Sequence, residues 1–137
     1  MNDLDIAKNL LKENNDTLVI VKRGKVLFET NSPGIRGLLA AIEKIGKELK
    51  ASAVADKLVG EAAAQLCAYS NVLEVFAVTL SQCGKDVLEK NNIRYEYENL
   101  VPHILNSNKT DLCPFEKMVI GSNSPQEAFR KLKRQSN

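Results

Sequence analysis

The amino-acid sequence predicts an α/β protein with three layers, α/β/α, around a small mixed β-sheet. Residues 17–30 contain two apolar stretches separated by Arg23 and Gly24, which is typical of an antiparallel hairpin. From residue 55 to residue 98 the pattern runs helix, strand, helix, strand, and a helical crossover between strands indicates parallel pairing. A hairpin joined to crossover strands forms a mixed sheet, whose two faces are covered by the helices.

The first third of the chain is predicted to form a helix, the hairpin and a second helix. Residues 3–14 place apolar side chains at helical spacing, and residues 18–21 form an apolar run typical of a strand buried on both faces. The second helix falls within residues 32–50, with Ser32 as its expected cap and Pro33 in its first turn. Its apolar stripe consists of Ile35, Leu38, Leu39, Ile42, Ile45 and Leu49.

Two glycines, Gly34 and Gly37, lie at the start of this second helix. Glycine inside a helix costs about 1 kcal/mol relative to alanine, so both are unexpected there. They leave bare backbone near the end of the hairpin, either for a ligand or for close packing. We therefore keep Gly34 and Gly37 as candidate ligand-binding residues.

The middle of the chain is predicted to alternate between helix and strand. Residues 51–71 begin extended and are expected to turn helical near Asp56, which would cap the helix. Gly60 and the alanines at 62–64 have almost no side-chain bulk, so this helix is predicted to be buried against a neighbouring layer. Gly60 is for that reason a third candidate ligand-binding position. The elements that follow are a strand, a helix and a strand at 72–81, 82–92 and 93–99.

The C-terminal third is predicted to contain a loop and two helices. Residues 100–112 are predicted to form a turn or a short helix followed by a polar loop, and residues 114–121 a short helix. The final helix begins with a capping box made by Ser124 and Glu127. The chain has no internal repeat and no low-complexity linker, so residues 1–137 are predicted to form a single domain.

Composition and charge argue against several classes of function. The 19 basic and 17 acidic residues leave a net charge of +2, and four phenylalanines, three tyrosines and no tryptophan give few stacking platforms, so no nucleic-acid partner is expected. No apolar run approaches the ~20 residues that span a bilayer, and the N-terminus has no signal-peptide core, so no membrane partner is expected. Three cysteines without a C-x-x-C pair indicate a reducing, cytoplasmic location.

The chain has a single histidine, His103, which excludes a zinc site built from several histidines. His103 follows a proline in a segment predicted to be a turn. A lone histidine in such a place is more often structural or exposed than a ligand. We keep His103 as a candidate ligand-binding residue, with a structural or exposed role as the alternative.

Residues 113–117, with the sequence CPFEK, are the most site-like segment. If Cys113 caps a helix, Pro114 takes the first helical position, and Glu116 lies where a carboxylate reaches free backbone amides. The positive end of a helix also favours the thiolate form of a cysteine, which predicts Cys113 as a nucleophile or a soft metal ligand. The alternative is an ordinary capped helix, which explains Pro114 and Glu116 but not the cysteine.

A second charged group lies in the middle of the chain. Asp56 and Lys57, with Glu61 about one turn further on, either line a pocket or consist of a helix cap and two solvated side chains. Of the remaining cysteines, Cys67 is expected to pack on the apolar side of its helix, and Cys83, near a helix start, is open to either role.

Three segments carry a resemblance to a known family. They are SPGIRGLL at 32–39, ADKLVGEAAAQL at 55–66 and VPHILNSNKTDLCPFEKMV at 101–119. On these segments the chain resembles the small bacterial proteins grouped as domain of unknown function 1893, whose fold is similar to that of the cytidine deaminases. The resemblance implies a cytidine-deaminase-like fold, and a homo-oligomer because that fold commonly associates.

The resemblance also implies where a metal would lie. Cytidine deaminases hold zinc with a His or Cys at one helix start and with two cysteines at another, and a glutamate transfers protons. This chain has no H-x-E or C-x-E at residues 54–64 and no P-C-x-x-C. Asp56, Cys113 and Glu116 stand in their place, and such a set is a poorer zinc site than nitrogen and sulfur donors. The cofactor is therefore left unknown, with zinc open but not favoured.

Two functions follow from these residues, both with a small molecule as the partner. The first is a deaminase-like hydrolase acting on a nucleobase-like molecule, with Cys113 as ligand or nucleophile, Glu116 as acid–base, and Asp56 and Lys57 lining the pocket. The second is a non-catalytic module that kept the fold and holds a small ligand without zinc.

Overall fold

The computed structural model describes residues 1–136, and it describes the side chains of residues 1–134; Asn137, the last residue of the predicted domain, lies outside the described residues. A short 3₁₀ helix, Gly46–Leu49, follows the second α-helix. The remaining elements are, in order, α1 (Asp3–Glu13), β1 (Leu18–Lys22), β2 (Lys25–Thr30), α2 (Arg36–Ile45), β3 (Ala53–Val59), α3 (Glu61–Tyr69), β4 (Glu74–Ser81), α4 (Gln82–Lys90), β5 (Arg94–Val101), α5 (Pro114–Val119) and α6 (Pro125–Ser136).

The strands form one sheet in the order β2-β1-β3-β4-β5. Strand β1 is antiparallel to both β2 and β3, whereas β3, β4 and β5 run parallel to one another. The hairpin turns at Arg23 and Gly24, which both have positive φ (52° and 76°), as a two-residue hairpin loop requires. The predicted mixed sheet is confirmed, and the structure adds the strand order.

Helices cover both faces of the sheet, which confirms the predicted three-layer architecture. On one face, α1 packs Leu4, Ala7 and Leu11 against apolar residues of β1, β3 and β4. On the other face, a larger apolar cluster joins α2, α3, α4 and α6 to the sheet. Each of these helices contributes at least one buried leucine to that cluster, namely Leu38, Leu66, Leu88 and Leu132. The helix rich in alanine, α3, is buried as predicted.

The start of α3 differs from the prediction. Asp56 does not cap a helix; it lies within β3 and pairs with Leu18 of β1 and with Ala77 of β4. Pairing on both sides of the strand outweighs the local preference of aspartate for a cap. Strand β3 therefore continues to Val59, and Gly60 is the residue that precedes the helix.

The start of α2 also differs from the prediction. The helix begins at Arg36, not at Pro33, and Ile35 precedes it without a side-chain cap. Ser32 remains attached to the end of the hairpin, because its carbonyl accepts a hydrogen bond of 2.7 Å from Thr17 Oγ1. The segment between the hairpin and the helix is therefore a turn.

The C-terminal helices agree with the prediction. Helix α5 begins at Pro114 directly after Cys113. Ser124 caps α6 as predicted, because Glu127 N–H donates to Ser124 Oγ at 3.1 Å, and the reciprocal bond to Glu127 Oε2 comes at 2.9 Å from the N–H of Asn123, one residue before the cap. Within residues 1–136, no helix has the length and apolar character needed to cross a membrane.

Candidate functional site

The carboxyl ends of β3 and β4 lie side by side, and a helix follows each of them. Because the two strands are parallel neighbours, the N-termini of α3 and α4 lie at the same edge of the sheet. Ligands of α/β sheets commonly bind outside the carboxyl ends of parallel strands, and helix N-termini there offer free backbone amides. This edge is therefore the place in the fold where a functional site is expected.

Glu116 of α5 reaches across to the start of α3. Its Oε1 accepts a hydrogen bond from the Glu61 N–H, and its Oε2 accepts one from the Ala62 N–H, both at 2.8 Å. A carboxylate is favoured at this position by the positive end of the helix. The expectation that Glu116 meets free amides holds, but the amides are those of α3 and not those of its own helix.

Two glycines allow the helix starts to come together. A Cβ at Gly60 would lie 2.0 Å from Glu116 Oε1 and 2.7 Å from Ile104 Cγ1, so a side chain there would displace the Glu116 carboxylate from its observed position. A Cβ at Gly84 would lie 3.0 Å from both the carbonyl carbon and the carbonyl oxygen of Gly60. Gly84 N–H also donates to Ser81 Oγ at 2.9 Å, which caps α4. Gly84 thus allows the start of α4 to approach the Gly60 backbone, and Gly60 leaves room for the side chains of Glu116 and Ile104.

Acidic side chains and a thiol interact electrostatically at these helix starts. Burial raises the pKa of Glu116, although the Ala62 and Glu61 amides oppose the rise. Burial and the charge of Glu116 raise the pKa of Glu61. Burial, followed by the negative charges of Glu61, Asp86 and Glu116, raises the pKa of Cys83, whose thiol is exposed. We refer to these residues together as the helix-start site: Gly60, Glu61, Cys83, Gly84, Ile104 and Glu116.

The other two acid and base candidates make their contacts elsewhere. Asp56 is 6% exposed, and its Oδ1 accepts the Leu58 N–H at 3.2 Å. Burial raises the pKa of Asp56 to about 7, although the Leu58 and Lys57 amides oppose the rise. Lys57 is exposed, and its Nζ donates to Asn15 Oδ1 at 3.1 Å. The pocket roles predicted for Asp56 and Lys57 remain predictions.

Cys113 lies on the segment that carries both Ile104 and Glu116 to the helix-start site. It is half-buried and begins α5, and its side chain makes no capping hydrogen bond. Its backbone N–H donates to the Ile104 carbonyl at 3.0 Å, which ties the two ends of the preceding loop together. A chemical role for the Cys113 thiol remains a prediction.

The remaining ligand-binding candidates lie outside these contacts. His103 is exposed in the loop just before Ile104. A Cβ at Gly37 would lie 2.8 Å from Thr30 Cγ2, so this glycine allows α2 to pack closely on the hairpin. Gly34 has a φ of +67° and open space around it, which identifies it as a turn residue. Ligand binding by these residues remains a prediction.

The fold is shared with deaminase domains of known structure. One form of RibD from Acinetobacter baumannii superposes with a TM-score of 0.53 and 17% identity, covering 70% of this chain and 34% of that one. A Thermotoga maritima protein described as a diaminohydroxyphosphoribosylaminopyrimidine deaminase and 5-amino-6-(5-phosphoribosylamino)uracil reductase superposes with a TM-score of 0.51 and 17% identity, covering 86% of this chain and 40% of that one. The protein is therefore an α/β domain of the cytidine-deaminase-like fold.

The chain belongs to the family described as domain of unknown function (DUF1893), which matches residues 6–135. It is also similar to the crystal structure of a DUF1893 family protein, TM1506, from Thermotoga maritima. The two share 24% identity with a TM-score of 0.90, over 98% of this chain and 90% of that one. No curated protein matches the chain.

The helix-start site does not fit the zinc of the cytidine deaminases. In their H-x-E pattern a zinc ligand stands two residues before the glutamate, and here the residue two before Glu61 is Val59, which has no donor atom. At the start of α4, the C-x-x-C spacing from Cys83 leads to Asp86. Among the described residues, no three His, Cys, Asp or Glu side chains are placed to hold a metal ion. The set of Asp56, Cys113 and Glu116 is accordingly not assembled, and we assign no step to zinc.

Of the four site residues that were not predicted, Glu61, Cys83, Gly84 and Ile104, two carry reactive groups, namely Glu61 and Cys83. The signal that identifies them is topological: each stands at the start of a helix that directly follows one of two parallel neighbouring strands. The sequence pattern predicts the helix cap at Asp56, four residues before the observed cap at Gly60, and so does not identify Glu61 as the first residue of the helix.

Proposed function

We propose that this protein binds a small molecule rich in N–H donors at the helix-start site without using zinc. One observation supports the proposal. Glu116 accepts hydrogen bonds from the first amides of α3 and lies within electrostatic reach of a second carboxyl group, that of Glu61. The backbone amides that could donate to an anionic ligand already donate to Glu116. Ligand recognition then depends on carboxyl oxygens, which accept hydrogen bonds from N–H groups.

The ligand class that suits two neighbouring carboxyl groups is an amino-substituted heterocycle. An exocyclic amine donates to one carboxyl oxygen, and a ring nitrogen accepts from a protonated carboxyl group. Both carboxyl groups have raised pKa values because of burial, and Glu61 also because of the Glu116 charge, so a proton is easier to keep there than on an exposed glutamate. Nucleobase-like aminopyrimidines belong to this class.

Among the described residues of the helix-start site, none is an activated nucleophile, and this favours binding over hydrolysis. Cys83 is exposed at the site, but neighbouring negative charges and partial burial raise its pKa, which disfavours the reactive thiolate. Metal-free activation of water would rest on Glu61 and Glu116 alone, without the Lewis acid that lowers the pKa of bound water in zinc hydrolases.

The test follows the backbone amides by NMR during titration with 2-aminopyrimidine, and with its N,N-dimethyl derivative, which has no N–H donor. We expect shifts of the Gly60, Glu61 and Gly84 amides with the first compound only. Glu61→Gln should weaken binding by about tenfold, because one carboxyl partner is lost. Glu13→Gln, at the exposed end of α1, serves as the matched control.

The proposal fails if neither compound shifts these amides, or if both compounds shift them equally. Metal analysis of protein purified without chelator provides a second test. Stoichiometric zinc that is lost in Cys113→Ala would overturn the zinc-free site, and its absence agrees with binding without zinc.

A hydrolytic reaction on a nucleobase-like molecule is the second candidate, and one observation favours it. Glu61 begins α3 at the place where H-x-E puts its proton-transferring glutamate. If this function holds, the protein releases ammonia from an aminopyrimidine, and Glu61→Gln abolishes the release while the fold is retained. Binding without any ammonia release, over a time in which the uncatalysed reaction is undetectable, decides for the first candidate.

A further inference from the structure

The cleft at the far end of α3 combines two lysines with an aromatic ring. It is bounded by the last turn of α2, the 3₁₀ helix Gly46–Leu49 and the end of α3. Helix α3 has nine residues, about 13 Å of rise, so this cleft lies at the opposite end of the helix from the helix-start site. The residues that line it are Ile42, Gly46, Lys47, Lys50, Tyr69, Ser70 and Asn71.

The volume of the cleft suits a small molecule. It is about 360 Å³, within the range of roughly 300–1,000 Å³ found for small-molecule sites. Gly46 lines the cleft with bare backbone, and its φ of 46° and ψ of −116° are a combination that favours glycine. A ligand can therefore approach the main chain at this point.

The walls of the cleft are held in place by contacts outside it. The Tyr69 ring stacks on Phe129 of α6, with centroids 4.1 Å apart and planes 10° from parallel. The Asn71 carbonyl accepts the Ala51 N–H at 2.9 Å, and the Asn71 N–H donates to the Ala68 carbonyl at 3.1 Å. The end of α3 is thus joined to the segment after the 3₁₀ helix. Such a pre-formed wall reduces the entropy lost when a ligand binds.

The charges in the cleft are of one sign. Lys47 and Lys50 are exposed, and neither forms an ion pair with any described residue. No acidic side chain is among the lining residues. Ser70 and Asn71 add hydroxyl and amide groups, whereas Ile42 and Tyr69 add an apolar surface. Unpaired ammonium groups beside an apolar wall suit an anion attached to a planar or apolar body.

We propose that this cleft, the 3₁₀ cleft, binds a phosphate monoester of nucleotide size. Lys47 and Lys50 bind the phosphate, and the body of the ligand lies against Ile42 and Tyr69. The site is separate from the helix-start site, so it does not depend on the function proposed there. A mononucleotide and a sugar phosphate share the phosphate chemistry, and the apolar wall favours the mononucleotide.

The test titrates the full chain with adenosine monophosphate, ribose 5-phosphate and adenosine, and follows the backbone amides by NMR. We expect the monophosphate to shift the Gly46, Ser70 and Asn71 amides with a Kd on the order of 1 mM or below. Ribose 5-phosphate should bind at the same amides more weakly, and adenosine should not bind. Lys47→Glu with Lys50→Glu should weaken binding at least tenfold, because charge is reversed at both contacts.

The matched control is Lys25→Glu with Lys90→Glu. These two exposed lysines lie outside the cleft, and the change in net charge is the same. The control should bind as the wild type does. The proposal is overturned if the monophosphate shifts none of the three amides, if both double variants weaken binding equally, or if adenosine binds as tightly as its monophosphate.

Discussion

Two acidic residues, the half-buried Glu116 and the buried Asp56, differ in their surroundings. Glu116 accepts two hydrogen bonds of 2.8 Å from the free amides at the start of α3. Asp56 lies in the middle of the sheet, and its side chain has one hydrogen bond of 3.2 Å to an amide. A helix start supplies donors and a favourable dipole, whereas a central strand has already used its amides in pairing.

The comparison shows why burial of an acidic residue does not by itself mark a site. Asp56 has the larger rise in pKa, to about 7, yet its neighbours are strand residues and the buried Cys67. Glu116, with a smaller rise, has Glu61 and Cys83 within electrostatic reach. What distinguishes the candidate site is the convergence of several functional groups on two helix starts.

The largest expected effect concerns Asp56 and pH. The pKa of Asp56 is about 7 in the folded state and 3.8 in the unfolded state. Between these pH values Asp56 is therefore protonated in the folded protein and ionised in the unfolded protein. Stability therefore falls as pH rises from about 4 to 7, by up to about 4 kcal/mol. Asp56→Asn should remove this slope and be the more stable protein at pH 8. Urea unfolding of the wild type and of Asp56→Asn between pH 4 and pH 8 measures the free energy of unfolding of each. If the two proteins show the same dependence on pH, the raised pKa of Asp56 is refuted.

The next effect concerns Gly60, which the helix-start site requires. Gly60→Ala places a Cβ 2.0 Å from Glu116 Oε1, so the Glu116 carboxylate must move away from the start of α3 and both of its hydrogen bonds are lost. We expect the free energy of unfolding to fall by about 3 kcal/mol. Adding Glu116→Gly should restore part of the loss, because the clashing carboxylate is gone. If the losses in the free energy of unfolding of Gly60→Ala and Glu116→Gly simply add in the double variant, the contact between residue 60 and Glu116 is not the cause of the loss.

A smaller effect is expected when the charge of Glu116 is removed. In Glu116→Gln one side-chain oxygen still accepts an amide hydrogen, but the new NH₂ group faces the second amide donor. We expect a loss of about 2 kcal/mol in the free energy of unfolding at pH 7. The exposed Glu13→Gln is the control and should change stability by less than about 0.5 kcal/mol. Equal effects of the two variants would contradict the contact.

The smallest effect concerns the reactivity of Cys83. Because burial and the charges of Glu61, Asp86 and Glu116 raise its pKa, Cys83 should react with iodoacetamide more slowly at pH 7 than a free thiol does. Glu61→Gln should raise the rate by removing one of these charges. The rates are measured by mass spectrometry of the Cys83 peptide in a Cys113→Ala background. An unchanged rate in the Glu61 variant would place the two groups too far apart to interact.

Much of the fold could be predicted from local pattern. The hairpin around Arg23 and Gly24, the capping box at Ser124 and the helix beginning at Pro114 depend on residues close together in sequence. The errors lie where contacts between distant segments prevail. Asp56 is a good helix cap in isolation, but strand pairing with Leu18 and Ala77 holds it in β3.

In the site, too, some features follow from local sequence and others from contacts between distant segments. The sequence alone determined the three-layer α/β/α class, the family resemblance, and the position of Glu116 three residues after Cys113 at a helix start. Only the tertiary structure decided that Glu116 caps α3, 54 and 55 residues away, and that Glu61 and Cys83 lie within electrostatic reach of it. The physical reason is that parallel strands bring helix starts together across long stretches of chain, and no local preference encodes which distant amides a carboxylate will meet.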